Sequence, residues 1–229
     1  FPNNKEIVVG DIIMINNNNQ YSYNTELFNG DLAKVVDVSE HTVMQSAPVY
    51  VSRNNKKEKE IFKLKFRKIS FRVPHFDEDI SCYIIDDLLN SIDRDLTLDM
   101  TKMLYINFVM RFNQEQEKRK ASGEQKFKVG SKEFKEELIK DPFYNALRVK
   151  YGYAITCHKS QGGQWNTVFV EQPYLPNGPD KEYLRWLYTA VTRAKNKLYL
   201  IGFKDDFFTV VRPSGVVIVM VTGGQGSVL

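Results

Sequence analysis

The last third of the sequence alternates short apolar runs with one helical pattern, and this rhythm limits the folds open to the chain. From about Asn145, the runs "GYAIT", "NTVFVEQ" and "KLYLIGF" predict strands, and "DKEYLRWLYTAVTRAKN" before the last run predicts a helix. Asp180 stands where it would cap that helix. Such an order of strands and helix is typical of a mostly parallel sheet flanked by helices.

The loop that follows "GYAIT" is rich in hydrogen-bond donors. Gly162 and Gly163 would let backbone N–H groups come close to a ligand. The surrounding polar side chains suit phosphate or sugar oxygens: Thr156, His158, Lys159, Ser160, Gln161 and Gln164. Ligands of open α/β sheets bind at the carboxyl ends of the strands, where this loop lies. Composition leaves two interpretations open, an ordinary glycine-containing turn and an anion or nucleotide site.

Arg193 follows near the C-terminal end of the predicted helix, and we expect its guanidinium to project from the same edge as the Gly162 loop. A rigid, bidentate cation there could reach phosphate oxygens and stabilise charge that develops in phosphoryl transfer. The alternative is an arginine that offsets the negative end of the helix dipole. The neighbours Cys157 and His158 do not suggest a nucleophile and base, because adjacent side chains of an extended segment point to opposite faces.

The first section, to about Val73, consists of short runs that predict strands separated by turns, and it suggests a small barrel or meander. In its last run, Phe62, Leu64 and Phe66 alternate with basic residues at Lys63, Lys65 and Arg67, which gives one apolar and one basic face. Nine Lys or Arg residues stand against two Glu between positions 53 and 72. Either a solvated outer face or a nucleic-acid surface would explain them.

After Pro74 the sequence changes to helix-forming residues. Apolar side chains near helical spacing predict a helix around Met103, Leu104, Phe108 and Phe112. Ser131 is placed to cap a short helix, "KEFKEELIK", which Asp141-Pro142 would end. We expect a helical insertion here.

The composition of the chain excludes several kinds of protein. The chain has 229 residues, 42% of them hydrophobic, and a net charge of +4, so it is globular and only mildly basic. Two cysteines and three histidines give neither a disulfide framework nor a metal site. No apolar run approaches the roughly 20 residues of a membrane helix. We therefore expect a cytoplasmic protein that binds no membrane.

Two segments resemble motifs of a known family. "YAITCHKSQGGQWNTVFV" and "LYTAVTRAKNKLYLIG" are similar to motifs V and VI of superfamily 1 DNA helicases, especially the branch containing RecD and the phage helicase Dda. Upstream, "VGDIIMINNNN" and "LFNGDLAKVVDV" resemble the segment with which that branch enters a small SH3-like barrel. The two pairs of segments lie in the N-terminal and C-terminal thirds of the chain, in the order that the family has.

The resemblance implies an α/β fold, with a RecA-like, mostly parallel sheet flanked by helices. It implies the second, C-terminal RecA-like helicase domain in residues 1–30 and 145–212, and an inserted small SH3-like β-barrel in residues 31–73. Residues 74–144 would be a helical insertion without an assigned role. Residues 213–229 would be a tail, either a final edge strand or an ill-ordered end.

The resemblance also implies roles for individual residues. Gly162 and Gln164 would lie near the γ-phosphate and ribose of ATP, although the family more often has Glu at the position of Gln164. Arg193 would be the catalytic arginine finger that contacts the γ-phosphate. The single-stranded DNA contacts would come from Thr156, His158, Lys159 and Ser160.

The phosphate-binding motif G-x-x-x-x-G-K-[ST] does not occur in the sequence, so the cradle, its Lys and its Mg²⁺-holding hydroxyl are missing. We expect the C-terminal portion of an ATP-dependent DNA helicase similar to RecD, the exodeoxyribonuclease V alpha subunit. ATP and Mg²⁺ would bind in the intact enzyme together with an N-terminal RecA-like domain of the same protein. We expect no ATP hydrolysis by this chain alone. The alternative is a non-catalytic nucleic-acid-binding or interaction module of helicase shape.

Overall fold

The computed structural model describes residues 6–17, 26–53, 56–204 and 217–221. The chain divides into two compact units, Phe1–Ala154 and Ile155–Leu229, here called unit 1 and unit 2. Each unit has a sheet of its own, and the two sheets differ in strand direction.

Unit 1 is built on a five-stranded antiparallel sheet with the order β4-β3-β2-β1-β5. Its strands are β1 (Ile12–Ile15), β2 (Leu32–Arg53), β3 (Lys56–Arg72), β4 (Ile80–Ile85) and β5 (Val149–Tyr151). Alternate side chains of these strands form a core in which Ile13, Val35 and Phe71 are fully buried. The runs that predicted separate short strands around positions 32–38 and 42–51 belong to one long strand, β2.

Three helices of unit 1 lie between β4 and β5: α1 (Asp86–Leu89), α2 (Leu98–Ala121) and α3 (Lys132–Lys140). The helical prediction for the second is confirmed, because Met103, Leu104, Phe108 and Phe112 are all buried on α2. The cap of the third is confirmed as well, since the Ser131 hydroxyl accepts a hydrogen bond from the backbone of Phe134. No helix in the described part of the chain is both long and apolar enough to cross a membrane.

Unit 2 holds a three-stranded parallel sheet with the order β6-β7-β8. Its elements are β6 (Trp165–Glu171), α4 (Lys181–Val191), β7 (Ala194–Ile201) and β8 (Val217–Val221). As predicted, the Asp180 carboxylate caps α4 by accepting from the backbone N–H of Tyr183 at 2.7 Å. Apolar side chains of α4 pack with Val170, Leu198 and Leu200 of the sheet. Within the predicted tail, β8 is an edge strand.

The predicted fold class is wrong. The largest sheet is antiparallel, and β1 and β5, which the resemblance assigned to a RecA-like parallel sheet, pair antiparallel within it. Nor does an SH3-like barrel close. The range 31–73 supplies only the strands β2 and β3, and the opposite edges of the sheet meet at one isolated bridge between Ile84 and Leu147. A closed barrel needs continuous pairing around its circumference.

The physical reason for this error lies in strand pairing. Apolar periodicity identifies a strand, but it does not choose the strand's neighbour or direction, because pairing depends on residues distant in sequence. The run "GYAIT" illustrates the error, since the strand ends at Tyr151. Gly152 then lies against Ile12 and Leu32, where an added Cβ would come within 2.9 Å of both side chains. β5 therefore ends before the predicted strand of residues 152–156 begins, and that strand prediction is wrong.

Candidate nucleotide and nucleic-acid site

The polar loop of unit 2 begins with a short 3-10 helix, Cys157–Ser160, preceded by Thr156 in an extended conformation. Ser160 is buried and donates its hydroxyl proton to the carbonyl of Cys157 at 2.7 Å. Thr156 and His158 are exposed to solvent, and Lys159 is partly exposed. Three of the four predicted nucleic-acid contacts can therefore be reached from outside, whereas Ser160 supports the loop from within.

Gly162 forms the tip of this loop, here called the Gly162 loop (residues 161–164). Its φ of 82° is left-handed, a conformation that glycine adopts without strain. The N–H of Gly163 donates to the carbonyl of Ser160 at 3.1 Å and closes the turn. Among the residues that the structure describes, the backbone N–H groups of Gly162 and Gln164 have no acceptor, and both residues are exposed. Two donors are therefore available to an anion at this tip.

Arg193 lies directly after α4 and reaches the Gly162 loop. Its Nε donates to the carbonyl of Thr189 at 2.9 Å, and its Nη1 donates to the carbonyl of Gly163 at 3.2 Å. Its Nη2 donates to the Thr192 hydroxyl at 3.0 Å. The predicted proximity of Arg193 and this loop is confirmed. The bond to Thr189, in the last turn of α4, also agrees with the alternative of a cation at the negative end of the helix dipole.

The charge of Arg193 is not neutralised by these contacts. All three acceptors are neutral oxygens, and no carboxylate within the described ranges forms an ion pair with this half-buried guanidinium. An arginine side chain has five N–H donors, so two remain for another acceptor. Arg193 is thus a fixed cation whose remaining donors suit an anionic oxygen.

Trp165 completes the support of the loop, and it was assigned no role in the sequence analysis. Its N–H donates to the Arg193 carbonyl at 2.9 Å, and its indole lies across Gly163, where a methyl group would collide with the ring. The spacing Gly-Gly-Gln-Trp is the sequence signal that could have indicated this contact. Arg193 and Trp165 together fix the conformation of the Gly162 loop.

The Cys157 thiol is half-buried and hydrogen-bonded to the backbone of α4. It donates to the carbonyl of Trp186, with 3.4 Å between Sγ and O. Burial raises the pKa of the thiol, more than the Ser160 hydroxyl and the Arg193 charge lower it. The thiol therefore stays protonated near neutral pH, which makes it a weak nucleophile.

The residues around this loop are similar to a known protein family. Residues 151–201 match the UvrD-like helicase C-terminal domain family. The chain is also 44% identical, over 62 residues, to an uncharacterised protein of Methanocaldococcus jannaschii. That match covers 27% of this chain and 5% of the relative, so the chain spans a small part of the curated protein that it resembles. The chain therefore carries a helicase-like segment that includes the Gly162 loop and Arg193.

Proposed function

We propose that the chain is the C-terminal portion of an ATP-dependent DNA helicase of the RecD-like branch. In this proposal, the Gly162 loop and Arg193 form one half of an ATPase site, and another domain of the same protein supplies the phosphate cradle and the Mg²⁺ ligands. The preceding residues, Thr156, His158 and Lys159, contact the phosphates of single-stranded DNA. The helicase-like match of residues 151–201 supports the class of protein.

The observation that carries the proposal is the unneutralised charge of Arg193. A cation held by three neutral acceptors keeps its attraction for a phosphate, whereas one paired with a carboxylate would lose most of it. The free N–H groups of Gly162 and Gln164 suit the same ligand. These groups fit a terminal phosphate, with Arg193 stabilising the charge that develops as the phosphoryl group is transferred.

We expect ATP binding and DNA binding to be coupled. Only a few residues separate the proposed DNA contacts at His158 and Lys159 from the proposed phosphate-binding groups at Gly162. The 3-10 helix that carries His158 and Lys159 continues directly into the Gly162 loop, and the buried Ser160 hydroxyl makes the connection rigid. A phosphate bound at Gly162 would change the energy of the loop conformation that presents Lys159 to DNA. Binding through backbone phosphates would be insensitive to DNA sequence and would weaken with added salt.

The decisive experiment measures DNA-stimulated ATP turnover of the intact protein with Arg193→Ala. Loss of an arginine finger should lower kcat by about 10³-fold or more, with single-stranded DNA affinity within about threefold of the parent. Arg185→Ala is the matched control, because Arg185 lies on α4 and its one ion pair within the described residues is with the exposed Glu182 at 2.6 Å. It should retain turnover within about twofold. An Arg193→Ala protein with unchanged turnover would remove Arg193 from the catalytic site.

A second candidate function is a non-catalytic module that keeps the helicase-like segment for binding alone. The three hydrogen bonds of Arg193 favour it, because they give this residue a structural reason to be present without a nucleotide. The two functions differ in one measurement. The module predicts that no ATP turnover is detected in the parent protein, whereas the helicase portion predicts DNA-stimulated turnover that Arg193→Ala removes.

A further inference from the structure

The β2–β3 hairpin of unit 1 extends beyond its neighbours in the sheet as a two-stranded ribbon. The strands pair from Thr42 and Arg67 to Arg53 and Lys56, whereas β4 accompanies β3 only from Phe66 onward. One face of the ribbon is covered by α2. Ala47, Val49 and Leu64 are buried there with Met103 and Leu104 of the helix.

The opposite face of the ribbon is basic, and no described element of the chain packs on it. Residues that pair directly across antiparallel strands project to the same side. The pairs on this side are Met44 with Lys65, Ser46 with Lys63, Pro48 with Ile61, Tyr50 with Lys59, and Ser52 with Lys57. We call these ten residues the basic ribbon face. It contains four lysines and no acidic residue, because Glu58 and Glu60 pair with Val51 and Val49 on the other side.

Three of these lysines are not neutralised. Lys65, at the base of the ribbon, forms an ion pair with Asp86 at 2.9 Å. Lys57, Lys59 and Lys63 are exposed and form no ion pair with any residue that the structure describes. Strand geometry places Lys57 and Lys63 about 20 Å apart along the ribbon. That span equals roughly six nucleotides of a strand stacked at 3.4 Å spacing.

An aromatic side chain stands in the same row. Tyr50 pairs across the ribbon with Lys59 and is 66% exposed, although it is a large ring. Ile61, also on the basic ribbon face, is 65% exposed. Cations that track a phosphate backbone, together with an exposed aromatic ring that can stack on a base, are the two components of single-strand binding surfaces.

We propose that the basic ribbon face binds single-stranded nucleic acid. Lys57, Lys59 and Lys63 contact phosphates along about six nucleotides, and Tyr50 stacks on an unpaired base. This site lies in unit 1 and shares no residue with the Gly162 loop, so it does not rest on the function proposed above. A duplex would satisfy the lysines but would leave Tyr50 without a base to stack on.

The test is fluorescence anisotropy of the 229-residue chain with labelled oligo(dT) and oligo(rU) of twelve nucleotides. Replacing Lys57, Lys59 and Lys63 together by Gln should weaken binding by about 100-fold at 0.1 M salt. The slope of log K against log salt should fall by about 2, at 0.7 per lost phosphate contact. Tyr50→Ala should weaken binding about tenfold, and Tyr50→Phe, which keeps the ring, should bind within about twofold of the parent.

The control removes the same charge elsewhere in unit 1, by replacing the exposed Lys128, Lys132 and Lys135 with Gln. It should bind within about threefold of the parent, with a nearly unchanged salt slope. Circular dichroism checks that each variant is folded, which is expected because the replaced side chains are exposed. Lys159→Ala, in the 3-10 helix before the Gly162 loop, separates the two proposed sites. Weaker binding by the ribbon variant together with unchanged binding by Lys159→Ala would support the ribbon site alone.

Three results would overturn the proposal: equal binding by the ribbon and control variants, no measurable binding by the parent chain, and tighter binding to a twelve-base-pair duplex than to oligo(dT). Binding to heparin as tight as to oligo(dT), without an effect of Tyr50→Ala, would show a general polyanion surface and would also contradict it. Similar affinity for oligo(dT) and oligo(rU) is expected, because phosphate charge and base stacking are common to both.

Discussion

Unit 1 and unit 2 each hold an arginine with several hydrogen-bond partners, and the partners of the two side chains differ. Arg67 in unit 1 has a side chain only 6% exposed, and its Nε pairs with the buried carboxylate of Asp86 at 3.0 Å. Arg193 in unit 2 is half-buried, and among the residues that the structure describes its side chain donates only to carbonyl and hydroxyl oxygens. A buried cation with a carboxylate partner stabilises its own fold, whereas one held by neutral groups keeps a charge that a ligand can use.

The largest effect on stability should follow from Arg67→Ala. This change leaves Asp86 buried with Lys65 as its remaining ion-pair partner, and it should lower the free energy of unfolding of unit 1 by about 3 kcal/mol. Arg193→Ala should lower that of unit 2 by only about 1 kcal/mol, because water can replace the guanidinium at neutral acceptors near the surface. Urea denaturation of the 229-residue chain measures both.

The two units can be followed separately in that experiment. Both tryptophans, Trp165 and Trp186, belong to unit 2, so their fluorescence reports its unfolding, while far-ultraviolet circular dichroism reports the whole chain. Lys63→Ala on β3, which removes an exposed cation without an ion pair in the described residues, is the control for Arg67→Ala. Equal losses of unfolding free energy for Arg67→Ala and Arg193→Ala would contradict the proposed difference, in which Arg67 stabilises its own unit and Arg193 keeps its charge for a ligand.

A smaller loss of stability should follow when one glycine of each unit is replaced by alanine, because the added methyl group meets neighbouring atoms. Gly163→Ala forces the indole of Trp165 off the loop, so we expect a red-shifted tryptophan fluorescence and a loss of about 1–3 kcal/mol in unit 2. In unit 1, Gly152→Ala meets the Ile12 and Leu32 side chains at 2.9 Å and the backbone carbon of Ile13 at 3.3 Å. It should destabilise unit 1 similarly without changing the fluorescence maximum. An unshifted spectrum for Gly163→Ala would contradict the contact with Trp165.

The smallest predicted effect is the change in folding stability with pH that Tyr153 causes. The Tyr153 hydroxyl donates to Asp11 at 2.7 Å, and this hydrogen bond raises the pKa of the tyrosine above its ordinary value of about 10. The folded state therefore holds this proton more tightly than the unfolded state does. The resulting stability is fully present below pH 10 and is lost as the pH rises through the folded-state pKa.

Tyr153→Phe should remove this contribution, which is less than about 1 kcal/mol because the side chain is largely exposed. The difference in unfolding free energy between parent and variant should be constant from pH 7 to about pH 9. It should then shrink toward pH 11 as the parent tyrosine ionises. Denaturation at a series of pH values measures it, and a difference that grows with alkaline pH would refute the assigned direction.

Local features of the fold were predictable because their causes lie within a few residues. The ends of α3 and the cap of α4 follow from Ser131, Asp141 and Asp180, and each of these predictions is confirmed. The strand β6 was predicted within one residue of its observed bounds. The approach of Arg193 to the Gly162 loop was also predicted, because a helix that connects two neighbouring parallel strands returns the chain to the same sheet edge.

Features that depend on distant residues were not predictable in the same way. The basic residues of β3 illustrate this, since alternation indicated a single basic face for Lys63, Lys65 and Arg67. In the structure, these three side chains have different partners. Arg67 is buried against Asp86, Lys65 is paired at the surface, and Lys63 has no ion-pair partner among the described residues. The partner of each side chain comes from another element, so periodicity along β3 alone could not distinguish the three.

The sequence by itself determined α2, α3 and α4, the caps of α3 and α4, the strand character of most apolar runs, and the polar glycine loop with Arg193 beside it. Only the tertiary structure decided that β1 and β5 join an antiparallel sheet, that Asp86 neutralises Arg67, and that the partners of Arg193 in the described ranges are neutral. The reason is physical. Caps and periodicity are interactions of near neighbours in the chain, whereas strand pairing and charge neutralisation join residues that folding alone brings together.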